Sequence, residues 1–138
     1  MKPFILLTFL SCTLLLPLAQ GEDKAKVDAG QAVAAAYFEA LFTGDAKKAT
    51  ELSTVPFSLD RKKVLKTEKE VAAIHEEIVG DKGKRQLPKY TLAPTDKAAK
   101  LDAEIFPKHT AYRVLIDDEH VDVYVTQGDG PKVIGFSD

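Results

Sequence analysis

The sequence predicts an α+β domain in which three helices precede a twisted antiparallel sheet, and three observations carry that prediction. From residue 28 to about residue 80 the apolar residues recur at helical spacing, with caps and glycine stops where helices should begin and end. From about residue 87 onward they alternate with a period of two, in short runs rich in Val, Ile and Tyr. The connections between those runs are short, of the lengths that join antiparallel neighbours.

The N-terminal segment is set aside before any folding argument. Lys2 supplies a positive start, residues 4–19 (FILLTFLSCTLLLPLA) are almost wholly apolar, and Ala19-Gln20-Gly21 places small residues at the −3 and −1 positions. This is the pattern of a signal peptide over residues 1–21, cleaved on export to the periplasm or the exterior. The apolar run is shorter than the roughly 20 residues a spanning helix needs, and Glu22-Asp23-Lys24 follows at once, so no membrane span is expected after cleavage. Residues 22–27 (EDKAKV) read as a short solvated lead-in, and residues 28–138 as a single domain.

Cleavage removes one of the 19 basic residues, leaving 18 against 21 acidic ones, a net charge of −3. Such a balance has no basic block to bind nucleic acid. Arg61, Lys62, Lys63, Lys82, Lys84 and Arg85 concentrate positive charge at two turns, within the range of an ordinary soluble exterior. The single cysteine, Cys12, leaves with the signal, so disulfides, a thiol nucleophile and Cys-ligated zinc are excluded from the exported chain. Stability must then come from an apolar core, for which a chain of this length buries about two-thirds of its unfolded surface.

In the first helix, Asp28 is placed as N-cap and Gly44 as the residue past the C-terminus. Between them two rows, Val33/Tyr37/Leu41 and Ala34/Phe38/Phe42, form a broad apolar arc that must be covered. A second, short helix is capped by Asp45, turns Ala46, Ala49 and Leu52 inward, and stops before Pro56. The stretch PFSLDRKKVL then reads as a small hairpin around a charged turn at residues 60–63. Thr67 and Glu70 form a capping box for a third helix with Val71, Ile74, His75 and Ile78 on one face and Gly80 as its stop.

The run HEEIV in that helix is not a zinc motif, because Val79 stands where a second His would have to share the face of His75. GDKGKR, which follows, is not a phosphate loop: it succeeds a helix, Ile78 occupies the first glycine position, and Arg85 replaces the required hydroxyl. The carboxylates and imidazole of DDEH, residues 117–120, belong to a tight solvated turn whose side chains diverge. Neither a cofactor nor a metal is therefore expected.

The sheet is expected to contain LPKYTLAP, AKLDAEIFP with Leu101, Ala103 and Ile105 on one face, TAYRVLI with Tyr112, Val114 and Ile116, HVDVYVT, and a closing PKVIGFS. In HVDVYVT, Val121, Val123 and Val125 lie on one side and Asp122, Tyr124 and Thr126 on the other, with Asp122 alternating outward from the valines; of this valine row and the Tyr112/Val114/Ile116 row, one or both must face the helices.

The order of helix, short helix, the hairpin VPFSLDRKKVLKT, third helix and a meander closing in KVIGFSD resembles the nuclear transport factor two-like superfamily. The resemblance implies that the three N-terminal helices pack on a strongly bent antiparallel sheet, a cone with a cavity at its open end. It also implies a choice of roles, since that superfamily includes ketosteroid isomerases, polyketide cyclases, dehydratases and binding or dimerising domains.

An isomerase of this kind needs a carboxylate base inside the cone and a donor for an enolate oxygen, and the acidic residues here lie in turns or alternate outward. The interior polar candidates for a ligand pocket are Tyr37, His75, Tyr112 and Tyr124. A single His on an apolar helix face is usually a satisfied core residue, and a strand Tyr usually packs its ring. The expectation is a non-catalytic exported domain that takes a small apolar or amphipathic ligand in the cone, or forms a homodimer through its sheet. An isomerase- or cyclase-like enzyme with His75 as base is the alternative.

Overall fold

Helix α1 (Ala29–Thr43) is rich in alanine, the best helix former, and buries Ala34, Tyr37, Phe38 and Ala40. Gly44, at φ 93°, ends it, and the Asp45 amide reaches back to the Ala40 carbonyl at 2.7 Å, a Schellman closure. The same Asp45 caps α2 (Ala46–Glu51), its carboxylate accepting from the Lys48 amide at 3.1 Å. These coordinates are a computed structural model that describes residues 29–82 and 85–138. The expected signal peptide, the lead-in and the Asp28 cap lie outside the described residues.

Strand β1 (Ser53–Leu59) begins as soon as α2 ends and pairs antiparallel with β2 (Lys63–Leu65). Asp60 and Arg61, at φ 54° and 60°, form the hairpin turn, closed by the Lys62 amide on the Leu59 carbonyl. The capping box of α3 (Glu68–Lys82) is present in full, with Glu70 N to Thr67 Oγ1 and Thr67 N to Glu70 Oε1 both at 3.1 Å. The Lys66 amide, at 2.9 Å, and the Thr67 amide both donate to the Glu70 carboxylate and hold it below its usual range. The helix does not stop at Gly80 as expected but continues to Lys82. An exposed glycine inside a helix costs only about 1 kcal/mol relative to alanine, too little to end it without a left-handed cap.

The remaining strands are β3 (Thr91–Thr95), β4 (His109–Ile116), β5 (Glu119–Thr126) and β6 (Val133–Ser137). They complete a six-stranded sheet in the order β2-β1-β6-β5-β4-β3, antiparallel except for the parallel ladder between β1 and β6. Pro56, which has no amide proton, sits within the register shift of that ladder. Gly135 pairs with Ser58 there, and a Cβ on it would lie 2.6 Å from the Ser58 carbonyl oxygen, so the two strands approach this closely only around glycine. Helix α1 touches β3, β4, β5 and β6, so the sheet curls around it, and the α+β class with helices on a curved, cone-like sheet is present.

The main core lies between α1, α3 and the inner face of the sheet, around Phe57, Val71, Tyr112, Val114, Val123, Val125 and Val133. Two expectations are corrected. AKLDAEIFP is not a strand: the Asp102 side chain accepts from Glu104 N, and its carbonyl accepts from Ile105 N and Phe106 N, closing a turn. That turn brings Leu101 and Phe106, five residues apart, down together and leaves Ile105 46 % exposed. The outward row of β5 is not solvated either, since Asp122 and Tyr124 are buried. The irregular segment 96–108 lies over that outer face, and Leu101 and Phe106 pack with Tyr124 and Ile134 in a second cluster.

Candidate functional site

The cone is open at one end. There a cavity of about 770 Å³ lies between α1, the end of α3 and the inner face of the sheet, within the size range of small-molecule sites. Helix α1 contributes Tyr37, Phe38, Leu41 and Phe42, and α3 contributes Ile78. The opposite wall is Ile116, Val121, Val123 and Phe136 from the strands, so the walls are apolar and aromatic, and the hydroxyl of Tyr37 is engaged by His75. Arg85, Glu119, His120 and Asp138 complete the lining with charged and titratable side chains. The Arg85 guanidinium carbon lies 4.0 Å from the centroid of the Phe42 ring, a cation–π contact that holds the cation against the apolar wall.

Of the sequence-derived candidates, Tyr37 and His75 are brought together. His75 is fully buried on α3, with its Nε2 2.8 Å from the Tyr37 hydroxyl and its Nδ1 2.8 Å from Thr50 Oγ1. Thr50 donates its own proton to the Ala46 carbonyl at 3.0 Å. The hydroxyl therefore accepts from Nδ1–H, which leaves Nε2 to accept from the Tyr37 hydroxyl and assigns the neutral tautomer from the network. The rings of Tyr37 and Phe57 both meet the imidazole edge to face. Burial lowers the His75 pKa to about 4 and pushes that of Tyr37 well up, so near neutral pH both groups are uncharged.

This arrangement binds α1, α2 and α3 to one another. His75 is not among the residues that line the cavity, and both its nitrogens are engaged within the protein. A general base has to reach the proton it removes, and this imidazole faces Tyr37 and Thr50 instead. Tyr112 is on the same inner face, buried in the main core but away from the cavity lining. Tyr124 is on the opposite face, where its hydroxyl donates to the Ala99 carbonyl at 2.8 Å and lies 3.2 Å from Ser137 Oγ.

The residues missed in the sequence are those of the mouth. Arg85 follows a helix without any periodic signal, and Glu119 and His120 looked like an ordinary solvated turn. Phe136 belongs to the closing strand, and nothing in its local pattern points to a cavity. The apolar arc of α1 was the available signal, because Leu41 and Phe42 lie at its end and are only half-buried.

No protein-family model matches the chain, and no curated protein matches it. Among solved structures, it is similar to a domain of unknown function with a cystatin-like fold from Nostoc punctiforme, at 19 % identity over 78 % of this chain and 72 % of the other, with a TM-score of 0.43. It is also similar to a candidate ketosteroid isomerase from Kribbella flavida, at 15 % identity over 78 % and 74 % of the two chains, with a TM-score of 0.39. Among the described residues, no helix is long and apolar enough to cross a membrane.

Proposed function

We propose that this protein is an exported, non-catalytic binding domain that holds a small apolar or amphipathic molecule in the open end of its cone. The observation that carries this reading is the contrast between two neighbouring sets of side chains. The cavity is walled by apolar and aromatic groups with charge at its mouth, the composition of a small-molecule site. The interior imidazole that could act as a base is sealed and committed to Tyr37 and Thr50. Export rests on the N-terminal pattern that ends in LAQG.

Native mass spectrometry of the protein purified from its exported fraction tests the reading. The expected result is a mature chain beginning at Glu22 that carries a bound mass of a few hundred daltons, lost on denaturation. A chain that retains Met1, or carries lipid on Cys12, contradicts export. A chain that arrives empty and takes up no apolar compound contradicts binding.

A further inference from the structure

Inside its mouth the cone offers a guest no free polar partner. The walls are apolar and aromatic, and the Tyr37 hydroxyl already donates to His75 Nε2 at 2.8 Å. An amphiphile entering here lays its apolar part between α1 and the sheet and keeps its polar head at the mouth, because a polar group buried without a partner is costly.

The mouth is polarised. Glu119 and His120 open β5, and Asp138 follows β6, where its amide donates to Asp60 Oδ1 at 3.3 Å, so the carboxylates belong to the sheet side. Arg85 belongs to the helix side, with its guanidinium carbon 4.0 Å from the centroid of the Phe42 ring on α1. Neither Glu119 nor Asp138 forms an ion pair with Arg85, and among the described residues no side chain or carbonyl accepts a hydrogen bond from its guanidinium.

Contact with the ring engages the charge of the guanidinium and leaves its N–H donors unspent. That planar fork matches the two oxygens of a carboxylate. Of the charged groups at the mouth, Arg85 is the one in cation–π contact with the cavity wall, which sets its donors where an apolar tail ends and water begins. The sheet side limits the charge of the guest. A phosphate monoester would bring about two negative charges toward Glu119 and Asp138, whereas a carboxylate brings a single charge that Arg85 neutralises.

We infer that the guest of the cone is a small amphiphile with a carboxylate head, and that Arg85 receives this head while the apolar tail lies between α1 and the sheet. The inference rests on the binding role proposed above and adds to it the chemistry of the head.

Displacement of the neutral fluorophore N-phenyl-1-naphthylamine tests it, in the parent and in Arg85→Met, which keeps an apolar stem against Phe42 without the charge. The competitors share one chain length: decanoate, decyl phosphate, decylamine and 1-decanol, at about pH 8, where the carboxylic acid is ionised. Arg85→Met should weaken decanoate about ten-fold, the worth of a charge-assisted pair. The same variant should change the affinities of the fluorophore and of decanol by less than about two-fold, as a surface substitution does. Decanoate should also displace the fluorophore from the parent better than decyl phosphate or decylamine does. Equal losses for decanoate and decanol overturn the inference, since Arg85 then acts only through packing. Tighter binding of decyl phosphate or of decylamine overturns it as well, by assigning a different head. If Arg85→Met fails to fold, Arg85→Lys decides: decanoate should weaken about three-fold with the loss of the fork, and unchanged affinity overturns the inference. A parent that binds no fluorophore contradicts the binding role itself, whereas a parent that binds it and ignores the head of the competitor contradicts only the carboxylate.

Discussion

The hydroxyl of Tyr37 on α1 lies 2.8 Å from Nε2 of His75 on α3, and both side chains are sealed from solvent. The other ring nitrogen is held by Thr50 on α2, so a single imidazole joins all three helices. Buried polar groups of this kind contribute little while fully paired and cost much when one partner is removed.

That asymmetry gives the first prediction. Tyr37→Phe should cost about 1 kcal/mol, because the imidazole loses one donor. His75→Leu should cost about 2–3 kcal/mol, because the Tyr37 hydroxyl is left buried without its acceptor. In the double variant the orphaned hydroxyl is gone too, so the two costs should not add. Urea unfolding of the three variants measures the coupling, and strict additivity would show that the 2.8 Å contact carries no energy.

A second prediction concerns pH. Burial depresses the His75 pKa from 6.5 to about 4, so the unfolded chain takes up the proton first as pH falls. The stability due to the neutral imidazole is complete above about pH 6.5, declines as pH falls through the window down to about pH 4, and levels off below it. The loss should be on the order of 2–3 kcal/mol. Denaturant midpoints between pH 7 and pH 4 should show this slope in the parent and a shallower one in His75→Gln. Parallel profiles would assign the slope to other groups.

The two faces of the sheet should respond differently to charge. Val123 is 1 % exposed against the helices, and Val123→Asp buries an unpaired carboxylate, at a cost of several kcal/mol. Leu115 is 47 % exposed on the outer face, and Leu115→Asp should stay within about 0.5 kcal/mol of the parent. Thermal unfolding of the pair compares them, and similar losses would mean that the core is not confined as described.

Two glycines should give opposite results. Gly80 lies inside α3 with nothing within 4 Å of an added Cβ, so Gly80→Ala should stabilise by about 0.5–1 kcal/mol. Gly135→Ala would place a methyl 2.6 Å from the Ser58 carbonyl oxygen at φ 156° and should destabilise by more than about 2 kcal/mol. Melting temperatures that move in the same direction would contradict the close approach of β1 and β6.

Most of the architecture was legible in local patterns. Thr67 and Glu70 announced α3, Asp45 announced α2, and alternation put Tyr112, Val114 and Ile116 on one face, which the structure turns toward the helices. Segment 96–108 was misread because Leu101, Ala103 and Ile105 alternate like a strand, whereas Asp102 satisfies the following amides locally and turns the chain. Its cover over Tyr124 and Asp122 is a long-range packing fact that no window of β5 contains. The pairing of His75 with Tyr37 and Thr50, 38 and 25 residues away in sequence, was hidden for the same reason. Only the curl of the sheet around α1 brings the mouth residues Arg85, His120 and Phe136 to one place.

The central claim is that the open end of the cone binds an apolar ligand without help from His75. Titration with the neutral fluorophore N-phenyl-1-naphthylamine tests it most directly, on the parent, on His75→Gln, and on Leu41→Trp, which fills the cavity from α1. The account predicts one site per chain in the parent, retained in His75→Gln and lost in a folded Leu41→Trp. A parent that does not bind the fluorophore, or a Leu41→Trp variant that binds it as well as the parent does, would contradict it.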